Sequence, residues 1–243
     1  MGIFSNLFGS KKAFNNPLKW DMHNHILFGI DDGSKSLEYS LRMAEMYISK
    51  GYKKIIATPH IMSDYYPNTP EIIRERLSML QMALKEASME LETGCAAEYY
   101  MDEYFLDKVR SGDELLSFHG NHVLVETSFM NKPVFFDQLL FEMRTKGFQP
   151  VLAHPERYVY FHGNYQAIEQ LVQTGVKLQI NLLSLVGHYS PNVKKLAQWM
   201  IKEGHYNFLG TDAHTVDHLE LLQDVMSSKL FDSIDFTRVE NAN

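Results

Sequence analysis

Along this 243-residue chain, short apolar, β-branched runs alternate with longer stretches of helical periodicity. The short runs predict strands over Trp20–His25, Lys54–Thr58, Glu90–Ala96, Val123–Glu126, Pro150–Ala153, Leu178–Asn181 and Phe208–Gly210. The 3.6-residue pattern predicts helices over Ser36–Lys50, Pro70–Ser88, Pro133–Lys146, Tyr165–Thr174, Pro191–Glu203 and Val216–Ser228. A shorter helix is expected within Tyr99–Ser117, ended near Gly112. Pro70 and Pro191 suit first-turn positions, and Gly51, Gly147, Gly175 and Gly204 suit helix C-termini. Strand, helix, strand repeated about seven times implies a parallel sheet, because each crossover returns the chain in the same direction.

That order fits an open doubly wound sheet or a barrel. The polar residues favour a barrel. His23, His25, His60, Glu98, Glu126, His154, Asp212 and His214 fall at or near the C-terminal ends of the apolar runs. A barrel gathers those ends around one pocket, whereas an open sheet would spread them along a line. Side chains alternate along a strand, so His23 and His25 should face one way, as should Asp212 and His214 if their strand extends that far. Imidazole and carboxylate are the usual ligands of Zn, Mn and Fe, and the set predicts a polynuclear metal site in the mouth of a barrel. His122 competes with Glu126, but four residues of strand separate them by about 13 Å, and the C-terminal one is better placed. His119, His162, His188, His205 and His218 lack such support and are read as surface or supporting residues, with His218 the first to consider.

Composition narrows this little. With 45% hydrophobic and 22% charged residues the chain reads as an ordinary globular protein. A net charge of −7 argues against a nucleic-acid partner, and Lys50, Lys53 and Lys54 are too few for a basic groove. The single Cys95 excludes a disulfide framework and an all-thiolate metal site. It lies in an apolar run with Met101 six positions on, so the thiolate-plus-arginine arrangement of a cysteine phosphatase is absent. No apolar run reaches the roughly 20 residues of a membrane span. Residues 1–12 do not read as a signal peptide, since their basic residues follow the short apolar stretch. Asn6 breaks the myristoylation pattern. Ile3, Phe4, Leu7 and Phe8 have helical spacing and suit either packing on the domain or peripheral contact with a membrane or partner; a cytoplasmic location is the default. We expect an arm over residues 1–17, one domain over 18–230 and a tail over 231–243.

Asp21-x-His23-x-His25, Ala57-Thr58-Pro59-His60, Glu98, His154 and Asp212-x-His214 together resemble the PHP (polymerase and histidinol phosphatase) superfamily. Gly29-Ile30-Asp31-Asp32-Gly33 after His25, and Ala153-His154-Pro155-Glu156-Arg157-Tyr158, resemble its branch of bacterial capsule and exopolysaccharide tyrosine phosphatases. The likeness runs from Trp20 to His218. It implies a distorted (β/α)7 TIM-like barrel of the PHP type holding three divalent metal ions. Carried over residue by residue, His23, His25, Glu98 and Asp212 would hold one metal. Glu98 would bridge to a second, completed by Glu126 and His154. Asp31, His60 and His214 would hold the third. Carboxylates at 31 and 126, where many superfamily members have histidine, agree with the tyrosine-phosphatase branch and favour Mn or Fe over Zn, with Mn the first choice. Asp32 reads equally as a partner fixing an imidazole or as a turn residue.

The resemblance implies a metal-dependent protein-tyrosine phosphatase whose substrate is the phosphorylated, tyrosine-rich tail of a bacterial tyrosine kinase. Arg157, with bidentate donors, is the expected phosphoryl clamp, and Asp212 and His214 complete the catalytic set. Phe28, Tyr65, Tyr66, Tyr158 and Tyr160 are candidates to flank the substrate ring. Two rivals stand beside this reading. One is a PHP phosphoesterase acting on a small monoester such as histidinol phosphate. The other is a non-catalytic, metal-stabilised docking module, which missing ligands would favour; none is missing.

Overall fold

A computed structural model describes residues 16–242. The apolar positions Ile3, Phe4, Leu7 and Phe8 lie outside the described residues. Among the described residues there are nine strands: β1 (Trp20–Asp21), β2 (Lys54–Ala57), β3 (His60–Ile61), β4 (Glu92–Cys95), β5 (Glu98–Tyr100), β6 (His122–Glu126), β7 (Gln149–Ala153), β8 (Lys177–Asn181) and β9 (Phe208–Gly210). All their pairings are parallel, in the orders β1-β2-β4 and β3-β5-β6-β7-β8-β9. The two sheets are one wall. The chain passes from β2 to β3 through Thr58-Pro59 and from β4 to β5 through Ala96-Ala97. Pro59 has no N–H to give a ladder, so the regular pairing stops there. Glu98 N still donates to Pro59 O, which keeps the two halves in step.

Seven strand positions therefore follow one another, each succeeded by helical segments, as the alternating pattern predicts. The long helices are Leu37–Ser49, Pro70–Glu86, Glu103–Ser111, Phe136–Thr145, Tyr165–Gln173 and Pro191–Glu203. Ser36, Thr69, Asp102 and Ser190 cap four of them by accepting a backbone N–H. The expected helix over Val216–Ser228 is instead two short ones, Val216–Glu220 and Leu222–Met226.

The first and last strands meet only at their C-terminal ends. There Asp212 N donates to His23 O and His25 N to Ala213 O. At the other end Asn241 fills the seam. Its Oδ1 accepts from Leu209 N, and its Nδ2 donates to the carbonyls of Trp20 and Leu209. The segment Glu240–Ala242 thus stands in for a missing stretch of ladder.

Period-two alternation divides the apolar residues. Leu124, Val151, Ala153 and Phe208 face the interior with Met22, Ala96 and Phe118. Val123, Val125, Leu152, Leu178, Ile180 and Leu209 pack against the helices. On β6 the same inward row ends in Glu126, and on β8 it carries Gln179 and Asn181, above that apolar floor.

Candidate metal centre

His23, His25, Glu98 and Asp212 converge at the C-terminal end of the barrel, all buried. His23 Nε2 lies 3.1 Å from Glu98 Oε2 and 3.3 Å from Asp212 Oδ1. His25 Nε2 lies 3.4 Å and 3.2 Å from the same two oxygens. The other ring nitrogens are already engaged. His23 Nδ1 donates to Gln179 Oε1 at 2.9 Å, and His25 Nδ1 to Asp31 Oδ2 at 2.8 Å. Those bonds select the tautomer that leaves each Nε2 lone pair free, the arrangement of metal-ligating histidines.

His60 stands beside this group. Its Nδ1 is 3.1 Å from Glu126 Oε1 and 3.2 Å from Glu98 Oε2, and its Nε2 is 3.4 Å from Asp32 Oδ1. Asp32 Oδ1 is also 3.3 Å from His214 Nε2. His154 Nε2 meets Glu98 Oε1 at 3.1 Å from the far side. Two backbone outliers serve the site: His154 at φ 33° and Asp212 at φ 49° are non-glycine residues in the left-handed region.

The atoms suit divalent cations. His23 Nε2, His25 Nε2, His60 Nδ1 and Glu98 Oε2 are buried without a hydrogen-bond partner of acceptable geometry, although each has an opposite group near 3 Å. Buried polar atoms are rarely left so, and cations held by the His23–His25–Glu98–Asp212 and His60–Glu98–Glu126 groups would satisfy all four. The electrostatics agree. Burial opposes charge at Glu98, yet His23 and His60 hold its carboxyl well below the usual range. Burial likewise opposes charge at Asp212, and His23 and His214 hold it far down. Burial works against protonation of His60, but Glu126 and Glu98 raise it to about 9.

All eight strand-end residues come together, and Arg157 joins them by donating from Nη1 to Asp212 Oδ2 at 2.6 Å. Asp31 is placed differently from the sequence expectation. Its oxygens accept from His25 Nδ1 and from the backbone N–H groups of Gly33 and His60. Asp32, not Asp31, faces His60 and His214. Both orientations follow from the turn, because Gly33 runs so close under His25 that a Cβ there would lie 2.2 Å from His25 O.

A cavity of about 300 Å³ opens on the cluster, lined by Met62, Tyr65, Tyr66, Phe129 and Arg157 beside the acidic and histidine groups. Tyr65 and Tyr66 are where the sequence suggested; Tyr158 is fully buried and stacked on Tyr160, and Phe28 lies under Arg76. Phe129 and Gln179 were not anticipated. A glutamine centred in the apolar strand Leu178–Asn181 is a readable signal; an exposed loop phenylalanine is not. His122 sits at the opposite end, 3.6 Å from Glu240, and His218 Nδ1 accepts from His214 N. Cys95 is half-buried and packed against the core, where burial raises its thiol.

A family model described as capsular polysaccharide synthesis, CpsB/CapC, matches residues 19–221. The chain is 29% identical over 229 residues to the tyrosine-protein phosphatase YwqE of Bacillus subtilis (strain 168), covering 91% of this chain and 89% of that one. It is 25% identical over 218 residues to the tyrosine-protein phosphatase CpsB of Streptococcus pneumoniae, covering 86% and 90%. Among solved structures it is similar to that of YwqE and CpsB, described as metal-dependent tyrosine phosphatases, with a TM-score of 0.76, 28% identity, and 87% and 89% coverage. A zinc-containing histidinol phosphate phosphatase of Lactococcus lactis shares the fold at 16% identity and a TM-score of 0.53, covering 88% and 93%.

Proposed function

This chain belongs to the CpsB/CapC family of capsular polysaccharide synthesis, and on that premise we propose that it is a metal-dependent protein-tyrosine phosphatase. The observation that carries the reading is the convergence of unpartnered imidazole and carboxylate atoms with an arginine in one open pocket. His23, His25, Glu98 and Asp212 would hold one divalent cation. Glu98, Glu126 and His60, with His154 against the far oxygen of Glu98, would hold a second. Asp32 and His214 would hold a third, joined by the other nitrogen of His60 where that ring gives up its remaining N–H proton and ligates as an imidazolate. The carboxylate-rich set favours Mn over Zn. Bound there, the cations supply Lewis acidity that activates water near neutral pH and neutralises phosphoryl charge.

Arg157 gives the phosphoryl group its fixed partner. One of its nitrogens is tied to Asp212, and its other N–H groups make no hydrogen bond among the described residues. They are free to meet equatorial oxygens as charge builds there. Asp212, held ionised, acts as a ligand and as the anchor of Arg157 rather than as a proton donor. A phenolate leaving group has a pKa near 10 and needs little protonic help. The pocket's aromatic edge of Tyr65, Tyr66 and Phe129 suits the ring of a phosphotyrosine on an extended chain. We infer a phosphorylated tail of a bacterial tyrosine kinase as the substrate and a cytoplasmic site of action. None of the helices is long and apolar enough to cross a membrane among the described residues.

The test is turnover of a phosphotyrosine peptide by metal-stripped protein, with Mn, Fe, Zn or Mg restored in turn. Phosphoserine peptide and histidinol phosphate serve as competitors. Release from phosphotyrosine alone, restored by metal, is the expected result. Release only from the small monoester would move the protein to metabolism, and no release with any metal would leave a docking module.

A further inference from the structure

Arg157 is not a free surface arginine. Its guanidinium carbon lies 4.5 Å from the ring centre of Phe129 and 4.2 Å from that of Tyr189. The two rings come from distant parts of the chain, one following β6 and one preceding the helix Pro191–Glu203. Both are fixed by polar contacts. Phe129 O accepts from Val159 N at 2.8 Å, and two residues earlier Thr127 is held by the hydroxyls of Tyr158 and Tyr160. Phe129 stays 39% exposed, a cost for so large an apolar side chain, although its ring also lies 5.8 Å from those of His154 and Tyr158. Tyr189 accepts at its hydroxyl from Asn181 Nδ2, and the same amide donates to Asp212 Oδ2, the oxygen that Arg157 also holds.

We propose that Phe129 and Tyr189 are positioning residues for phosphoryl transfer, holding the Arg157 guanidinium in one plane between two aromatic faces. The proposal rests on the phosphatase reading for its substrate, but the sandwich itself does not. A cation over an aromatic face is attracted by the ring quadrupole, most strongly where water is excluded. Arginine's planar fork gains from this in a way that a lysine ammonium does not. With two ring centres within 4.5 Å of its carbon and one nitrogen anchored on Asp212, the guanidinium loses little freedom when it engages phosphate. Shape complementarity to a planar cation thus explains why an exposed phenylalanine is pinned at the mouth of an acidic pocket.

The experiment compares Phe129→Leu, Tyr189→Leu and Tyr189→Phe in wild-type and Arg157→Lys backgrounds, each loaded with manganese for binding and turnover and with diamagnetic zinc for resonance measurements, and checked for unchanged metal content. Inorganic phosphate binding and phosphotyrosine turnover are both measured. Each leucine variant is expected to weaken phosphate binding and kcat/KM roughly tenfold. Tyr189→Phe should keep near-wild-type values, and neither leucine substitution should cause a further loss in the Arg157→Lys background. The Arg157 Nε–H resonance should sit upfield from ring currents in the wild type and return toward its ordinary position in the leucine variants. Equal losses in both backgrounds, equal damage from Tyr189→Phe and Tyr189→Leu, or an unmoved resonance would overturn the proposal. If phosphate binding and the resonance respond as expected while phosphotyrosine is not hydrolysed, the sandwich stands and the phosphatase reading fails.

Discussion

Asp31 Oδ2 lies 2.8 Å from His25 Nδ1, on the side of the imidazole away from Glu98 and Asp212. Its neighbour Asp32 turns the other way, with Oδ1 between His60 Nε2 and His214 Nε2. Adjacent carboxylates thus divide the work: one orients a ligand, the other is placed to be one. Asp32→Asn should therefore lower the bound metal by about one equivalent, read by elemental analysis of purified protein. Asp31→Asn should keep the stoichiometry while weakening affinity roughly 10- to 100-fold, the usual cost of losing a partner that fixes a metal-binding histidine. Reversal of the two outcomes would restore Asp31 as the ligand.

Gln179 does for His23 what Asp31 does for His25, but without charge. Its Oε1 accepts from His23 Nδ1 at 2.9 Å and from His154 N at 3.2 Å, so one amide sets two candidate ligands. Gln179→Leu, similar in volume, should reduce metal affinity on the order of 10- to 100-fold with little change in the unfolding midpoint of the metal-free protein. Competitive titration against a chelator measures the first, thermal denaturation the second.

How far the sequence spoke for itself depends on the length scale of the signal. The barrel was legible because it rests on periodicity repeated seven times, and the strand ends were legible because Glu98, His154 and Asp212 each close an apolar run. The distinction between Asp31 and Asp32 was not. In Asp31-Asp32-Gly33 the two residues have the same chemistry, and only the approach of Gly33 to His25 O decides which carboxylate turns inward. Phe129 and Tyr189 were invisible for a different reason: they act through Arg157 from separate loops, and no local pattern links them. Asn241 looked like a tail because nothing in three residues reveals that β1 and β9 leave a gap.

That gap gives a stability prediction. Asn241 is fully buried and satisfies Leu209 N, Leu209 O and Trp20 O at once. Asn241→Ala would strand these backbone groups in the barrel seam, at a cost of about 2–4 kcal/mol. Chemical denaturation should show the loss, and kcat/KM at a temperature where the variant remains folded should stay near wild type, since the seam lies at the end opposite the pocket.

Gly33 makes a sharper case, because the obstacle is backbone. A Cβ at this position would meet His25 O at 2.2 Å and His25 Cβ at 2.4 Å. Gly33→Ala must push the loop or the histidine aside, which costs roughly 1–3 kcal/mol for overpacking alone. The displaced part carries Asp31, Asp32 and His25, so metal affinity should fall further than the thermal stability of the metal-free protein. An alanine variant with wild-type metal binding would show that the loop accommodates the methyl group without moving the ligands.

The metal-free and metal-loaded proteins should respond to pH in opposite ways. In the metal-free protein Glu126 and Glu98 raise His60, against the effect of burial, from 6.5 to about 9. A folded-state pKa above the unfolded value means that the native state binds the proton more tightly. The resulting stabilisation is fully present below about pH 6.5 and is lost as pH rises through about 9. The His23 and His25 pKa values are also raised, and they add to the same trend. Divalent cations need these imidazoles unprotonated, so their binding releases protons and tightens as pH climbs through the same window. Thermal melts from pH 6 to 9.5 should show the metal-free midpoint falling while the gain on adding saturating Mn grows. Calorimetric titration at pH 7 in buffers of differing ionisation enthalpy should report net proton release. A metal-free midpoint that rises across this range would mean that the carboxylates do not hold protons on the histidines.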